Sequence, residues 1–323
     1  MAVSDQLQTG SGFGSRTEPW EVLKGIDLSG QVVMVTGGYS GLGLETTRAL
    51  VAAGARVHVP VRSVEKAALT LADMQGDIVV GEMDLGDLAS VRAYAHRFQS
   101  SEEKLDVLIN NAGVMACPET RTGNNWESQF AINHLGHHVL TTGLLPSLMN
   151  AGKARVISLS SNGHKRSDIR WHDIHFIHEP YDKWTAYGQS KTANALFALG
   201  LDLKFRNQGI RGFSVHPGGI LTPLQRHLDN EEMVALGWVD EQGNMSEQVK
   251  TLFKTPSQGC STSLWAATSP ALDNKGGLYC EDCDVAVVAT DVAARHKGVA
   301  PWAVNDESAL RLWDLTEKML ENQ

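Results

Sequence analysis

A tyrosine and a lysine stand four positions apart in the run Tyr187-Gly-Gln-Ser-Lys191. On a helix this spacing places both side chains on one face, one turn apart. A phenol ordinarily titrates near pH ~10, and a nearby ammonium group favours the phenolate and lowers that pKa. Such a pair can act as an acid–base catalyst at neutral pH, although the same spacing also occurs by chance on solvated helices.

Two serines end the run Arg155-Val-Ile-Ser-Leu-Ser-Ser161, whose apolar pattern is typical of a buried strand. A serine hydroxyl at the carboxyl edge of a sheet can hydrogen-bond a substrate oxygen as negative charge develops on it. The alternative is a serine turn at the strand end, and Ser160 fits that alternative. Asn133 is a third candidate, because asparagine gains nothing energetically inside the helical run Ala131-Ile-Asn-His-Leu-Gly136.

The stretch Thr36-Gly-Gly-Tyr-Ser-Gly-Leu-Gly43 indicates the scaffold that positions these candidates. It lies between a β-branched apolar segment, residues 31–35, and a helical pattern that runs to Gly54. Glycines permit a tight turn, and they let a pyrophosphate approach the backbone N–H groups at the helix start. Glycines alone are weak evidence, but the strand–turn–helix context predicts a nucleotide site.

The rest of the chain repeats a β–α–β rhythm, which predicts an α/β, Rossmann-like doubly wound parallel sheet with helices on both faces. Pro60 should end the second strand or place that strand at an edge. Asp87 is expected to be the N-cap of a helix. Strands are predicted at residues 31–35, 55–61, 77–83, 105–109, 154–160 and 210–215, with further helices at 64–74, 126–149 and 184–206.

Two long segments interrupt this rhythm, at about residues 162–183 and 217–255. Both follow strands, so we expect them at the carboxyl edge of the sheet, where they would wall the substrate site. We predict one domain over residues 28–323, preceded by a loosely ordered segment and a short helix over residues 1–27. Aromatic residues can line an apolar pocket there or can instead pin the loops to the body: Trp171, Phe176, Trp184, Trp238 and Phe253.

The order of these motifs resembles the short-chain dehydrogenase/reductase family. The glycine turn, Asn110-Asn-Ala-Gly113, the helix asparagine, the strand-end serine, the Tyr–Lys pair and Pro217-Gly218 follow one another as in that family, over about residues 28–223. The resemblance implies an enzyme that interconverts an alcohol and a ketone or aldehyde by hydride transfer with NAD(P)(H).

In this family the matching positions form a catalytic tetrad, here Asn133, Ser161, Tyr187 and Lys191. By resemblance, the tyrosine gives or takes the proton, and the lysine also holds the nicotinamide ribose. The serine polarises the substrate oxygen, and the asparagine supports a water-mediated proton path. Ser161 is preferred to Ser160 because the family places its serine last in this strand-end pattern.

The resemblance also implies a set of cofactor-binding residues. Enzymes that use NAD generally present an acidic residue where this chain has Val61, Arg62 and Ser63. Arg62 can pair with a 2′-phosphate, so NADP(H) is expected to be preferred and NAD(H) remains possible, although the glycine turn has no basic residue. Asp84 is expected to contact the adenine. Pro217-Gly218-Gly219-Ile220 and Thr222 resemble the family's clamp for the nicotinamide carboxamide, here called the carboxamide clamp. The full set is Gly37, Tyr39, Ser40, Gly41, Leu42, Gly43, Arg62, Ser63, Asp84, Leu85, Asn110, Asn111, Ala112, Gly113, Tyr187, Lys191, Pro217, Gly218, Gly219, Ile220 and Thr222.

Finer features are similar to the retinol-dehydrogenase-like branch, which includes relatives of the WW-domain oxidoreductase. Tyr187 follows Ser161 by 26 positions, a longer gap than in minimal members, and Asn-His-Leu-Gly136, Ser-Ser-Asn-Gly-His164 and Leu-Trp-Asp314 are similar as well. These motifs name no substrate, but the aromatic residues of both long segments favour a fairly bulky apolar carbonyl compound or alcohol. A homo-oligomer is the family habit, with the helices around Trp126–Met149 and Trp184–Arg206 as the interface.

Two other functions are consistent with the sequence. A nucleotide sensor or scaffold could keep the fold and lose catalysis, but the intact Ser161, Tyr187 and Lys191 weigh against it. An isomerase or epimerase that uses transient hydride transfer ranks third, because its relatives usually carry a different glycine spacing.

Composition and charge argue against several classes of protein. The 323 residues include 37 acidic and 28 Lys and Arg side chains, and the net charge of −9 disfavours nucleic-acid and anionic-membrane partners. No apolar run reaches membrane-spanning length and residues 1–30 lack a signal-peptide pattern, so no membrane insertion and a cytoplasmic location are expected. Four cysteines make no disulfide framework. We predict no metal site, with Cys280 and Cys283 or the histidines of residues 162–183 as minor alternatives.

Overall fold

A central sheet organises the computed structural model, which describes residues 6–293 and 297–321. Its strands are β1 (Val32–Val35), β2 (Arg56–Val61), β3 (Ile78–Glu82), β4 (Val107–Asn110), β7 (Ala154–Leu159), β8 (Ile210–His216), β9 (Leu278–Glu281) and β10 (Asp284–Val285). In the described residues they lie in the order β10-β9-β8-β7-β4-β1-β2-β3. All pairs are parallel except β9 with β10. Two short strands, β5 (Arg121–Thr122) and β6 (Trp126–Glu127), pair separately.

Helices cover both faces of the sheet. They are α1 (Pro19–Val22), α2 (Gly41–Ala52), α3 (Val64–Leu71), α4 (Leu88–Ser101), α5 (Ser128–Phe130), α6 (Gly136–Gly143), α7 (Leu145–Asn150), α8 (Lys183–Phe205), α9 (Asn230–Ala235), α10 (Glu247–Leu252), α11 (Pro256–Thr268) and α12 (Asp306–Glu321). No helix in the two described ranges is both long and apolar enough to cross a membrane. Val33 and Val35 pack with α2 and α11, whereas Val32 and Met34 pack with α4, α6, α8 and α12. Strand β1 is therefore apolar throughout because both its faces are buried.

The strand order reverses between β1 and β4. The chain builds β2 and β3 on one side of β1, then crosses to place β4 on the other side. The connections that leave β1 and β4 therefore diverge and open a crevice at the carboxyl edge of the sheet.

The predicted doubly wound α/β fold is confirmed, and six predicted strands are present with ends shifted by at most two residues. Pro60 lies near the end of β2, where the strand still pairs with β3 but its pairing with β1 has ended, so β2 has an open edge there as predicted. Successive N–H groups of a strand point to opposite neighbours. The N–H of Val57 donates towards β3, so an N–H three residues later, at position 60, would point towards β1. Pairing with β1 already stops at His58, so Pro60 removes no ladder hydrogen bond.

The region 126–149, predicted as one long helix, is interrupted. It begins as β6, continues through α5 and a π-helical turn at Ala131–Leu135, and breaks at Leu144 between α6 and α7. Pro146 is the second residue of α7, where its missing N–H has no intrahelical partner to lose. The predicted helix at residues 64–74 is also shorter, since α3 ends at Leu71.

The C-terminal helix α12 covers the faces of α6 and α8 that were expected to form an oligomer interface. The Trp313 ring stacks on Phe197 with 5.7 Å between centroids, and His138 donates to the carboxylate of Glu317. Most of α8 is buried within the chain itself. Homo-oligomerisation stays a prediction.

The N-terminal segment lies against the sheet edge, whereas a loosely ordered segment was predicted. The buried Gln6 side chain donates to the carbonyl of Ala286 and accepts from the N–H of Tyr279. The short helix predicted near Trp20 is present as α1. Residues 1–5 lie outside the described residues, and the boundary at residue 28 stays a prediction.

Candidate active site

A large cavity opens at the carboxyl edge of the sheet, at the crevice between β1 and β4. Its volume is ≈ 750 Å³. Its wall contains the glycine turn after β1, residues that follow β2, β4, β7 and β8, and the turn of α8 that carries Tyr187 and Lys191. Doubly wound folds bind ligands at this switch point.

The glycine turn suits a dinucleotide, because two of its glycines have positive φ angles and a third has no room for a Cβ atom. A Cβ atom at Gly43 would lie 2.4 Å from the carbonyl oxygen of Gly37 and 2.6 Å from Asn111 Nδ2. Gly37 and Gly41 have φ angles of 64° and 53°, a region that favours glycine. Helix α2 begins at Gly41, and Gly41, Leu42 and Gly43 line the cavity. The helix N-terminus, which stabilises a pyrophosphate, therefore borders it.

Most of the predicted cofactor residues line this cavity. Three others, all within the described residues, do not. Ser63 caps α3, Asp84 accepts a hydrogen bond from the backbone two residues later, and the buried Asn110 donates to Thr141. The adenine contact of Asp84 stays a prediction. The lining residues are Gly37, Tyr39, Ser40, Gly41, Leu42, Gly43, Arg62, Leu85, Asn111, Ala112, Gly113, Tyr187, Lys191, Pro217, Gly218, Gly219, Ile220 and Thr222.

Tyr187 and Ser161 meet at the cavity wall. Asp182 caps α8 by accepting from the N–H of Thr185 at 2.7 Å, which fixes the start of the helix that carries Tyr187. The Ser161 side chain lies near the Tyr187 phenol, and this neighbour favours the ionised form of the phenol. The tyrosine ring lies against Gly163, where a Cβ atom would be 2.7 Å from the ring. Packing therefore holds the phenol beside the serine hydroxyl.

Burial opposes ionisation of both members of the Tyr–Lys pair. It raises the pKa of Tyr187 to about 12, although the neighbouring Ser161 side chain acts in the opposite direction. Lys191 is not among the groups that shift the pKa of the phenol in this structure, so the lowering expected from the lysine stays a prediction. Lys191 Nζ lies 5.7 Å from the centre of the tyrosine ring, and burial lowers the pKa of Lys191 to about 8. Desolvation disfavours phenolate and ammonium alike.

Lys191 lies between the ends of strands β7 and β4. Its ammonium group donates to the carbonyl of Leu159 at 2.9 Å, at the end of β7. A Cβ atom placed on Gly113, after β4, would lie 3.6 Å from Nζ. The lysine thus lies on the cavity wall between these two loops, where a ribose would pass.

Asn133 lies inside the π-helical turn and beneath the cavity wall. Its side chain accepts from the N–H of Val114 at 2.8 Å and donates to the carbonyl of Val114 and the hydroxyl of Ser190, both at 2.9 Å. Turns of this type are frequent at functional sites. The described contacts make Asn133 a support for the loop after β4, and its role in a proton path stays a prediction.

His137 is a site residue that the sequence reasoning missed. Its Nδ1 lies 3.0 Å from the carbonyl of Asn133, and its Nε2 lies 3.0 Å from Thr36 Oγ1. The Thr36 hydroxyl also accepts from the backbone N–H groups of Asn111 and Ala112 at 2.9 Å. Burial lowers the pKa of His137 to about 4, so a neutral imidazole connects the glycine turn to the π-helical turn. The sequence does place His137 four residues after Asn133, one helical turn away, and that spacing could have indicated that it lies near the site.

Lys254, for which the sequence carries no signal, fixes the predicted carboxamide clamp. Its N–H donates to the carbonyl of Gly219 at 2.8 Å, and a Cβ atom on Gly218 would be 2.7 Å from Lys254 Cε. The ammonium group pairs with Asp282 at 2.8 Å, while the lysine side chain is 4% exposed. A buried charge requires such a partner.

Apolar side chains border Tyr187 on its open side. The buried residues Met115, Ala116 and Leu228 contact it, with Trp184 and Trp238 packed against them. The rings of Trp184 and Trp238, whose centroids are 6.4 Å apart, line the cavity together with Phe253. Trp171 and Phe176 instead pack into the body, so the aromatic residues of the long segments serve both expected roles.

A family model for the short chain dehydrogenases matches residues 31–233. A Streptomyces lividans protein named "Probable oxidoreductase" is 43% identical over 90% of this chain and 97% of its own length. Retinol dehydrogenase 12 of Mus musculus is 36% identical over 91% of this chain and 88% of its own length.

Solved structures show the same similarity. A protein from Mycobacterium paratuberculosis matches 94% of this chain and 98% of its own, with 30% identity and a TM-score of 0.71. The Pseudomonas aeruginosa RhlG/NADP active-site complex matches 79% of this chain and 95% of its own, with 25% identity and a TM-score of 0.60. Because the family model covers more than half of the residues and the relatives nearly all, this chain belongs to the short-chain dehydrogenase/reductase family and is an oxidoreductase that binds a nicotinamide dinucleotide.

Proposed function

We propose that this enzyme interconverts a fairly bulky apolar ketone or aldehyde and the matching alcohol, with NADP(H) preferred to NAD(H). The observation that carries the proposal is the setting of Tyr187. Its phenol lies beside Ser161 at the cavity wall, and Met115 and Trp238 border the same space. An apolar surface beside an acid–base pair suits a substrate whose carbonyl group is its main polar part.

Tyr187 is the proton donor in reduction. The chemistry that the dinucleotide supplies when bound is hydride transfer. Reduction of a carbonyl develops an alkoxide, which needs a proton donor within hydrogen-bond reach of the same oxygen. A phenol with a pKa of about 12 is protonated at neutral pH and is a stronger acid than an alcohol, so transfer to the alkoxide is favourable. Ser161 stabilises the oxyanion but is too weak an acid to supply the proton efficiently.

Lys191 and Asn133 support this step without donating to the substrate. Lys191 has a pKa of about 8, so its ammonium form predominates at pH 7 and can hold a ribose hydroxyl. Asn133 fixes the backbone at Val114, next to Gly113, which packs near Lys191 Nζ. The position of the lysine then depends on the loop that Asn133 supports.

The preference for NADP(H) rests on the end of β2. Arg62 is exposed and lines the cavity with Tyr39 and Ser40, and the chain has no acidic residue at 61–63 that would accept the ribose diol of NAD. An arginine there can form charge-assisted hydrogen bonds to a 2′-phosphate. The NADP complex among the related structures supports this assignment.

Turnover assays with a tyrosine variant test the proposal. Aldehydes, ketones and secondary alcohols of increasing apolar size would be assayed with NADPH, NADH and their oxidised forms. Tyr187→Phe should cut turnover on the best substrate by at least ~100-fold and leave cofactor affinity and melting temperature nearly unchanged. Tyr94→Phe removes a phenol that is buried on α4, away from the cavity, and should leave turnover unchanged. Near-normal turnover by Tyr187→Phe would reject the mechanism.

A further inference from the structure

We propose that residues 6–16 form a strap that belongs to the dinucleotide site, and that Arg16 is a positioning residue that keeps the cavity wall closed on the cofactor. The inference rests on the proposed placement of the dinucleotide in the ≈ 750 Å³ cavity. It concerns a part of the chain that precedes the family match, which begins at residue 31.

The strap is anchored at the edge of the sheet. Gln6 completes backbone hydrogen bonding at β9 and β10, and Asp284 then holds the next turn of the strap. The Asp284 carboxylate accepts from the N–H and hydroxyl of Thr9 at 2.7 Å and from the N–H groups of Gly10 and Ser11 at 3.0 and 3.2 Å. A carboxylate that accepts four hydrogen bonds from one short segment fixes the path of the chain there.

Arg16 connects this anchored strap to the end of α10. Its Nη1 donates to the carbonyl of Phe253 at 2.6 Å and to Gln258 at 3.3 Å, and its Nη2 donates to the carbonyl of Thr251. The last carbonyl groups of a helix have no intrahelical partner and carry partial negative charge. A planar guanidinium group can satisfy two of them at once, which an ammonium group cannot do with the same geometry.

The residues that Arg16 holds are those that press on the predicted carboxamide clamp. A Cβ atom on Gly219 would lie 2.8 Å from the Phe253 ring, and Lys254 packs over Gly218 in the same way. Ser15 and Arg16 also line the cavity, together with Leu42 of the glycine turn. Releasing Arg16 would free the segment around Phe253, so the wall on the nicotinamide side would open more readily and the cofactor would dissociate faster.

The test compares full-length Arg16→Met and Arg16→Lys with the wild-type enzyme, using NADPH and NADH as probes in fluorescence titrations. Arg48→Met is the control, since Arg48 is an exposed arginine whose pairing with Glu45 lies within α2. Arg16→Met should raise the Kd for both cofactors by about 3- to 10-fold, the range expected for exposed charge-assisted hydrogen bonds. Arg16→Lys should recover part of the loss, and kcat at saturating cofactor should change less than about twofold.

Hydrogen exchange distinguishes positioning from a general loss of stability. In Arg16→Met the protection should fall in residues 217–258 and stay unchanged in β1, β4 and β7. Wild-type-like Kd values in Arg16→Met, or protection lost throughout the sheet, would overturn the inference. If the wild-type enzyme binds neither NADPH nor NADH, the proposed function fails before Arg16 is tested, so the two failures are distinguishable.

Discussion

Replacing Lys254 with Met should weaken both the fold and cofactor binding, because the change leaves Asp282 without its nearest cation. The side chains of Lys254 and Asp282 are 4% and 27% exposed. Removing one partner of a fully buried ion pair costs about 3–5 kcal/mol. Asp282 retains some contact with water and Lys297 at 3.7 Å, so we expect a loss of about 2 kcal/mol. For a chain of this length, that lowers the melting temperature by about 3–5 °C.

The pH dependence of this loss has a definite sign. Burial alone would raise the pKa of Asp282, but Lys254 and then Lys297 hold it below its ordinary value. The stabilisation is therefore present at neutral pH and is lost as the pH falls through the pKa of the folded protein. The difference between Lys254→Met and wild type should be largest at pH 7 and shrink below pH ~4.

The assay pairs thermal unfolding with NADPH titration. Lys254→Met should raise the Kd for NADPH by about 3- to 10-fold, because Gly218 and Gly219 lose the side chain that holds them. Lys250→Met is the matched control in the same segment. Lys250 pairs with Glu247, and the two side chains are 50% and 89% exposed. That pair contributes only about 0.3–0.5 kcal/mol. Equal melting temperatures and equal affinities for the two variants would refute the claim that Lys254 holds the clamp.

Three further predictions follow from single positions or single residue types. Arg62→Ala should weaken NADPH binding by about 10- to 100-fold and NADH binding much less, and equal losses in a titration would reject the 2′-phosphate contact. Gly43→Ala should destabilise the fold by about 1–3 kcal/mol in urea unfolding, because its Cβ would meet the backbone of Gly37, whereas Gly14→Ala, with open space around it, should be neutral. Lowering the pH from 7 to 5.5 should remove about 1 kcal/mol of unfolding free energy for each of four buried or half-buried histidines, because the unfolded chain takes up protons that the folded chain does not. Burial lowers the pKa of three of these histidines, His137, His164 and His175, to about 4 and that of His216 to about 3. Urea titrations at both pH values check this, and an unfolding free energy that is equal at pH 7 and pH 5.5 would contradict it.

Local sequence was sufficient where local physics decides the structure. The run of apolar residues in β1 predicts a strand buried on both faces, and the glycine turn predicts the start of α2. Tyr187 and Lys191 share the cavity wall because helical spacing alone puts them on one side of α8. Asp87 was predicted as an N-cap from its residue type and its place before a helical pattern, and its side chain accepts a hydrogen bond from the N–H of Ala89 at the start of α4.

Long-range contacts decided the features that were not predicted. Gln6 bonds to Tyr279 across 273 positions, and nothing in the polar residues near the N-terminus indicates that partner. Trp313 packs on Phe197, so the helix face expected to bind another subunit is buried by the chain's own C-terminal helix. Arg16 and Lys254 act through backbone carbonyls and glycines, which have no residue pattern that a sequence could reveal.

Two buried histidines hold the backbone carbonyls of Ser161 and Asn133 in a way that does not change with pH near neutrality. His164 must carry its proton on Nδ1, because that nitrogen lies 2.6 Å from the carbonyl of Ser161 while Nε2 accepts from the N–H of Ala300. His137 has the same tautomer, since its Nδ1 lies beside the carbonyl of Asn133. Burial lowers both pKa values to about 4, so neither ring gains charge between pH 6 and 9. Lys191, with a pKa of about 8, does lose charge in that range. A fall in reductive turnover as the pH rises through 8 would therefore report deprotonation of Lys191, and not a movement of Ser161 or Asn133.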